Sequence, residues 1–187
     1  MSSTSAPFGL QPAYSPSGVI RPTAYTITTG YATTIYQNQP VKIVPSSTGE
    51  GTIAAAAVGD RFIGTFMGVE YTDANGKRTY SNKWTASTAG TDIVAYVTLD
   101  PSIVYNIQTN AAVSVSDIGK QYDFTAASGN TTTGLGSQML DVSSAASTAS
   151  LRLIGITPGP NNAWGDTYVI VQVQISEHQN VADVAAY

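Results

Sequence analysis

His178 is the only histidine in the chain, and it stands in Ser176-Glu177-His178-Gln179. On a strand, residues two apart share a face. Ser176 and His178 could therefore meet as hydroxyl and base, while Glu177 points away. A nucleophilic serine also needs an oriented base and an oxyanion hole. The flanking residues supply neither, so His178 reads better as a hydrogen-bonding residue at a surface or interface. Asp117 and Asp123 lie six apart around Gly119-Lys120. A glycosidase pair requires one carboxyl raised in pKa by apolar surroundings, and no apolar run singles one out here.

With one histidine and no cysteine, only carboxylates could hold a metal, and no thiolate or disulfide chemistry is open. Asp73-Ala74-Asn75-Gly76 superficially resembles a calcium loop. The obligatory glycine falls two residues early, Lys77 occupies a ligand position and Trp84 stands where the bidentate acid belongs. Gly134-Leu135-Gly136 has no following lysine or helix and cannot cradle phosphate. Asn130-Thr131-Thr132 matches a glycosylation sequon, which carries little weight without a secretory signal. The expectation is a protein with no catalytic, cofactor-binding or metal residues, and not an enzyme.

The charge content points the same way. Eight basic and twelve acidic residues amount to 11% of the 187, with a net charge of −4. Soluble domains carry roughly 25%. A surface of Ser, Thr, Asn, Gln and backbone repels itself weakly and suits tight association. Phosphate binding needs clustered Lys and Arg, but the adjacent basic pair is Lys77-Arg78 alone, so no nucleic-acid partner is expected. No apolar run approaches the ~20 residues of a membrane span. Residues 1–10 lack the basic and apolar regions of a signal peptide. The expectation is a chain made in a cytoplasm and soluble until it assembles.

The elements that would position any site are short strands. Residues 1–22 contain Pro7, Pro12, Pro16 and Pro22 and one charge, Arg21. Proline fixes φ and removes donors, so this segment predicts an extended arm. Its apolar residues Phe8, Leu10, Tyr14, Val19 and Ile20 either fold back on their own domain or lie along a neighbouring subunit. Removing the arm is expected to leave a folded domain. Residues 23–187 read as a single β domain with room for a peripheral subdomain.

Strands are predicted over 24–28, 41–44, 62–72, 78–84, 92–99, 103–108, 122–124, 137–142, 151–156 and 168–177. The last alternates Val169, Val171, Val173 and Ile175 with more polar residues, the period of a half-buried strand. Residues 92–99 are apolar on both faces, which suits a strand inside a sandwich or barrel, or an interface. Asn75-Gly76 predicts a hairpin turn with positive φ at both central positions. Ser116 to Gly119 could form a helical turn, and 53–58 is ambiguous between strand and helix. Segments 126–136 and 143–150 read as loops, and no repeat of fixed period appears. The fold class is all-β: a β-sandwich or barrel-like domain of short antiparallel strands, an extended Pro-rich arm, and at most one or two short helical turns.

Eleven tyrosines, four phenylalanines and two tryptophans could pack a core, line a sugar-binding face or anchor a protein partner. Trp164, in a breaker-rich loop, either packs that loop down or anchors a partner. Several segments together resemble a family. They are Ala6-Pro7-Phe8-Gly9-Leu10-Gln11-Pro12, Ile27-Thr28-Thr29-Gly30-Tyr31-Ala32-Thr33 and Gly59-Asp60-Arg61-Phe62-Ile63-Gly64. Gly68-Val69-Glu70-Tyr71-Thr72-Asp73, Asn162-Ala163-Trp164-Gly165-Asp166 and Glu177-His178-Gln179 complete the set. In order and spacing the chain resembles the decoration, or cement, proteins of tailed bacteriophages.

The resemblance implies a virion protein on the outer surface of the capsid. Its partners would be the major capsid protein and itself, as a homotrimer that clamps neighbouring capsomers. It implies no catalytic residues and no cofactor. The contact residues it suggests are Pro7, Phe8, Leu10, Pro12, Tyr14 and Trp164. The alternative, resting on the aromatic count, is a receptor- or carbohydrate-binding β module of a phage tail or fibre, with Trp84 or Trp164 against the sugar.

Overall fold

The computed structural model describes residues 4–46 and 51–182. Within them the chain is all-β, with antiparallel sheets and one 3-10 turn at Val115–Asp117. The strands are β1 (Gln11–Tyr14), β2 (Pro22–Tyr25), β3 (Ile35–Tyr36), β4 (Pro40–Val44), β5 (Thr52–Ala55), β6 (Gly64–Thr72) and β7 (Arg78–Ser81). There follow β8 (Lys83–Trp84), β9 (Thr91–Thr98), β10 (Val104–Gln108), β11 (Gln121–Phe124), β12 (Leu140–Ala146), β13 (Leu151–Ile156) and β14 (Ile170–Ile175).

Two sheets account for most of them. One runs β2-β9-β6-β4-β5, with β7 added to the far end of β6. The other runs β1-β10-β14-β13-β11-β12. With β7 and β1 set aside, each sheet is a five-strand path whose end strands meet through a short parallel bridge, Thr26 just past β2 with Thr52 of β5 and Thr109 just past β10 with Leu140 of β12. Thr26 donates to Gly51 O at 3.0 Å and accepts from Ile53 at 2.9 Å; Asn110 donates to Leu140 O at 3.1 Å. Both sheets thus curl back on themselves. Numbered locally, both have the strand order 1-5-4-2-3, with the third strand returning to the first. The chain builds one topology twice, though no periodic repeat is visible in its residues.

Each curled sheet encloses its own apolar cluster. The first holds Ile27, Ile35, Val41, Ile53, Ile63, Phe66, Val69, Trp84, Ala95 and Val97. The second holds Leu10, Phe62, Tyr105, Ile107, Tyr122, Phe124, Leu151, Leu153, Val171 and Val173, among others. The region 23–187, read as one β domain, therefore contains two cores. A buried polar seam joins them: Thr65 N–H donates to Thr98 Oγ1 at 2.9 Å, and the Tyr105 hydroxyl lies 3.0 Å from the same oxygen. Here β6 and β9 approach so closely that a Cβ on Gly64 would lie 1.6 Å from Thr98 O.

Local sequence explains the elements. In β14, Val171, Val173 and Ile175 are buried and the intervening residues half-buried, the predicted alternation. The ambiguous segment 53–58 resolves as the end of β5 followed by a turn. The helical turn forms one residue earlier than read, with Ser114 as its cap and Asp117 closing a capping box. Predicted strand 78–84 breaks into β7 and β8. The loop read over 143–150 begins as strand, because β12 extends to Ala146. β1 and β3 were not predicted: one is proline-bearing and the other only two residues long.

The hairpin turn also differs from expectation. Asn75 keeps ordinary negative φ and only Gly76 is left-handed, at +76°. Asp73 exchanges backbone bonds with Lys77 and Gly76, and its carboxylate accepts from Asn75 and Lys77 N–H at 2.9 and 3.0 Å. This is a three-residue loop with glycine at the left-handed position. The Asp73 side chain fixes it by capping the chain, an acceptor role that makes the primed turn unnecessary.

Candidate functional site

On the outer face of β6, β7 and β9, polar and aromatic side chains converge outside the cores. In register, Glu70 lies opposite Tyr80 on one side and Val94 on the other. Tyr96 lies opposite Gly68 and Ala24. The Tyr96 hydroxyl donates to Glu70 Oε1 at 3.0 Å, and Arg78 Nη2 reaches the same oxygen at 3.0 Å. Arg78 Nη1 donates to Asp92 O at 2.8 Å. Hydrogen bonds from Tyr96 and then Arg78 hold the Glu70 carboxyl below its ordinary pKa. The bond to Glu70 raises the Tyr96 hydroxyl.

Tyr80 is 73% exposed and Tyr96 36%. Glu70 is held ionised and Arg78 stays charged. The arrangement presents aromatic area and a guanidinium in fixed positions, the composition that interface cores favour. Residues 92–99, expected inside a sandwich or barrel or at an interface, leave Tyr96 exposed and Val94 half-buried on the outer face. The sequence reading does not join Tyr80, Tyr96, Glu70 and Arg78 into one surface. The available signal was the second apolar face of β9 beside the aromatic positions of β7.

The arm lies along its own chain. β1 pairs with β10. Leu10 N–H donates to Asn38 O at 2.8 Å, and Asn38 Nδ2 donates to Phe8 O at 3.1 Å. Of the suggested contact residues, Pro7, Phe8 and Pro12 are half-buried, whereas Leu10 is fully enclosed in the second core and has no surface to offer a partner. Tyr14 and Val19 stay exposed, at 47% and 55%. Trp164 is half-buried and packs against the second core. Its loop is pinned by Asn162, whose Nδ2 donates to Thr157 O and Ile170 O at 2.8 and 2.7 Å.

The chemically capable side chains are bonded within the chain. His178 is buried, not at a surface: Nε2 lies 2.8 Å from Ile63 O and 3.1 Å from Leu99 O, and Nδ1 accepts from Asn180 N–H at 3.1 Å. Ser176 shares its face but donates to Ala149 O. Asp117 accepts from Ser114 N–H at 2.7 Å and binds Lys120 at 2.8 Å; the Lys120 bond, with Ser114, depresses its pKa. Asp123 accepts from Ser150 N–H and Oγ at 3.1 and 2.6 Å. Among the described residues, no group of three His, Cys, Asp or Glu is placed to hold a metal. Trp84 is fully buried against Tyr71, ring centroids 5.5 Å apart, so it cannot stack on a sugar.

The chain matches no known protein family, no curated protein and no solved structure.

Proposed function

We propose that this chain is a structural protein of a tailed-phage head. It binds the outer surface of the assembled capsid and holds neighbouring capsomers of the major capsid protein together, as three copies around each site. The motif order across the chain supports this reading. The observation that carries it is a division of labour among side chains. His178, Ser176, Asp117 and Asp123 bond within the fold, while Tyr14, Val19, Tyr80 and Tyr96 remain outside. A surface of tyrosine and aliphatic area with little charge favours binding by contact. Three modest footprints acting together gain avidity through effective concentration.

The test is imaging of the parent virion with the chain tagged at its C-terminus. Density over the head shell supports the reading; density confined to the tail overturns it. Binding to expanded heads lacking the protein should weaken when Tyr14 and Val19 are both changed to Ser. Retention of a polysaccharide by the isolated chain, lost on Trp164→Ala, would favour the tail-module alternative.

A further inference from the structure

The outer strand edges of this fold are not equally protected. β1 carries Pro12 and a register shift before Tyr14. β2 opens on Pro22 and is bridged to β5 just past its end. β12 is held at Leu140 by Asn110 N–H and at Val142 by Asn110 Oδ1. Prolines, bulges, covering groups, short length and charged side chains are the devices that keep sheet edges from pairing. β7, Arg78-Thr79-Tyr80-Ser81, has no proline, bulge or covering strand; it is short, its one charge, Arg78, is turned onto Glu70 and Asp92 O, and its strand partner is β6. It projects beyond the closed part of its sheet and carries Tyr80, the most exposed aromatic among the described residues.

The hairpin fixes which groups face outward. Asp73 N–H bonds Lys77 O, so in the alternating antiparallel pattern Tyr71 with Thr79 and Val69 with Ser81 are the bonded pairs. The N–H and C=O groups of Arg78 and Tyr80 therefore point away from β6.

We propose that this edge pairs with the same edge of a second copy of the chain, antiparallel about a two-fold axis at Thr79. In that register Arg78 bonds the partner's Tyr80 and Tyr80 bonds the partner's Arg78. Each pair exchanges both backbone bonds. The side chains agree with the register. Each guanidinium, already fixed by Glu70 and Asp92 O, lies beside the partner's Tyr80, and a guanidinium favours an aromatic face. No like charges oppose each other, because Lys77 falls across from the partner's Ser81. A four-residue edge buries far less than the ~1,200–2,000 Å² of a standard interface, so the pairing is weak and depends on concentration. It rests on β7 alone and holds whatever the chain is attached to.

The isolated full chain tests it. In sedimentation velocity, mass rises with concentration above that of the smallest species. Tyr80→Lys sets two cations side by side at both pairs and weakens association at least tenfold, about 1.4 kcal/mol, with unchanged thermal unfolding. The chain has no cysteine, so a single Thr79→Cys reports the register. Thr79 pairs lie ~4.5 Å apart at Cα, and mild oxidation gives a covalent dimer; Ser81→Cys gives none. A mass constant up to the solubility limit overturns the proposal, and so does equal cross-linking of the two variants. A constant mass together with lost head binding by Tyr80→Lys would assign the edge to a foreign strand instead.

Discussion

His178 Nε2 stands 2.8 Å from the carbonyl oxygen of Ile63, which ties the segment after β14 to the residues leading into β6. Leu99 O is the second acceptor and Asn180 N–H donates to Nδ1. Both ring nitrogens are used only if the imidazole is neutral with its proton on Nε2. Adding a proton to Nδ1 would set a donor against a donor. Burial lowers the His178 pKa, more than Ile63 O, Leu99 O and nearby Asp100 raise it.

The sign of the pH dependence follows. A group with a depressed folded pKa binds fewer protons in the native than in the unfolded state between the two values, so stability rises with pH there. The contribution is complete above ~6.5, the unfolded histidine value, and is lost as pH falls through the folded value. Unfolding free energy measured by urea should fall between about pH 6.5 and 5, above the range where unfolded carboxylates titrate. His178→Gln should flatten that limb. It should also lower stability at pH 7.5 by about 1–3 kcal/mol, since the amide cannot both donate to the two carbonyls and accept from Asn180 N–H as the ring does. An identical slope in the variant would remove His178 as the cause.

The Tyr105 hydroxyl serves the seam between the cores. Burial raises its pKa strongly, against the bond to Thr98, so it stays a neutral hydroxyl at working pH. Tyr105→Phe keeps the ring and removes one bond of the Thr98–Thr65 network. The expected cost is about 1–2 kcal/mol in equilibrium unfolding, with an unchanged denaturant slope because the cores remain. A two-step unfolding curve for this variant would show that the seam is what couples the two sheets.

The arm prediction changes with the position of Leu10. Deleting residues 1–22 removes a fully buried core residue and the strand beside β10, so the truncated chain should be largely unfolded or insoluble. Leu10→Ala should cost about 2–5 kcal/mol. Tyr14→Ser, at an exposed position, should leave melting within about 0.5 kcal/mol of the parent. Circular dichroism of the three variants checks all of this.

The two tryptophans separate cleanly. Trp84 is sealed in the first core, and its indole N–H has no acceptor. Trp84→Phe should therefore cost much less than Trp84→Ala, for which about 3–5 kcal/mol is expected. Acrylamide should quench Trp164 and spare Trp84, which single-tryptophan variants would show.

How much of this was legible depended on how local each signal was. β14, β13 and β4 follow from alternation and breakers within a few residues, and all-β character follows from the run of short strand patterns separated by turn signals. The doubled topology was hidden because a strand order is a set of long-range pairings, such as β2 with β9, that no short window records. The burial of His178 was hidden for the same reason: its acceptors, Ile63 and Leu99, are 115 and 79 residues away. The Tyr80–Glu70–Tyr96 face needed the β6–β9 register, which passes through two bulges. The β6–β7 turn was placed correctly, but its type was decided by the Asp73 side chain.

Two glycines with positive φ give the last prediction, because they differ in what surrounds them. Gly76, at +76°, has open space around a would-be Cβ. Gly76→Ala therefore costs only backbone strain, about 1–2 kcal/mol. Gly64, at +153°, faces Thr98 O and C at 1.6 and 2.7 Å, and those atoms belong to β9 in the middle of the sheet. Gly64→Ala must push β6 from β9 and break the Thr65–Thr98 bonds that connect to Tyr105. It should cost more than about 4 kcal/mol, the range of severe core lesions, and prevent soluble expression at 37 °C. Equal melting temperatures for the two variants would mean that the close approach of β6 to β9 is not a constraint.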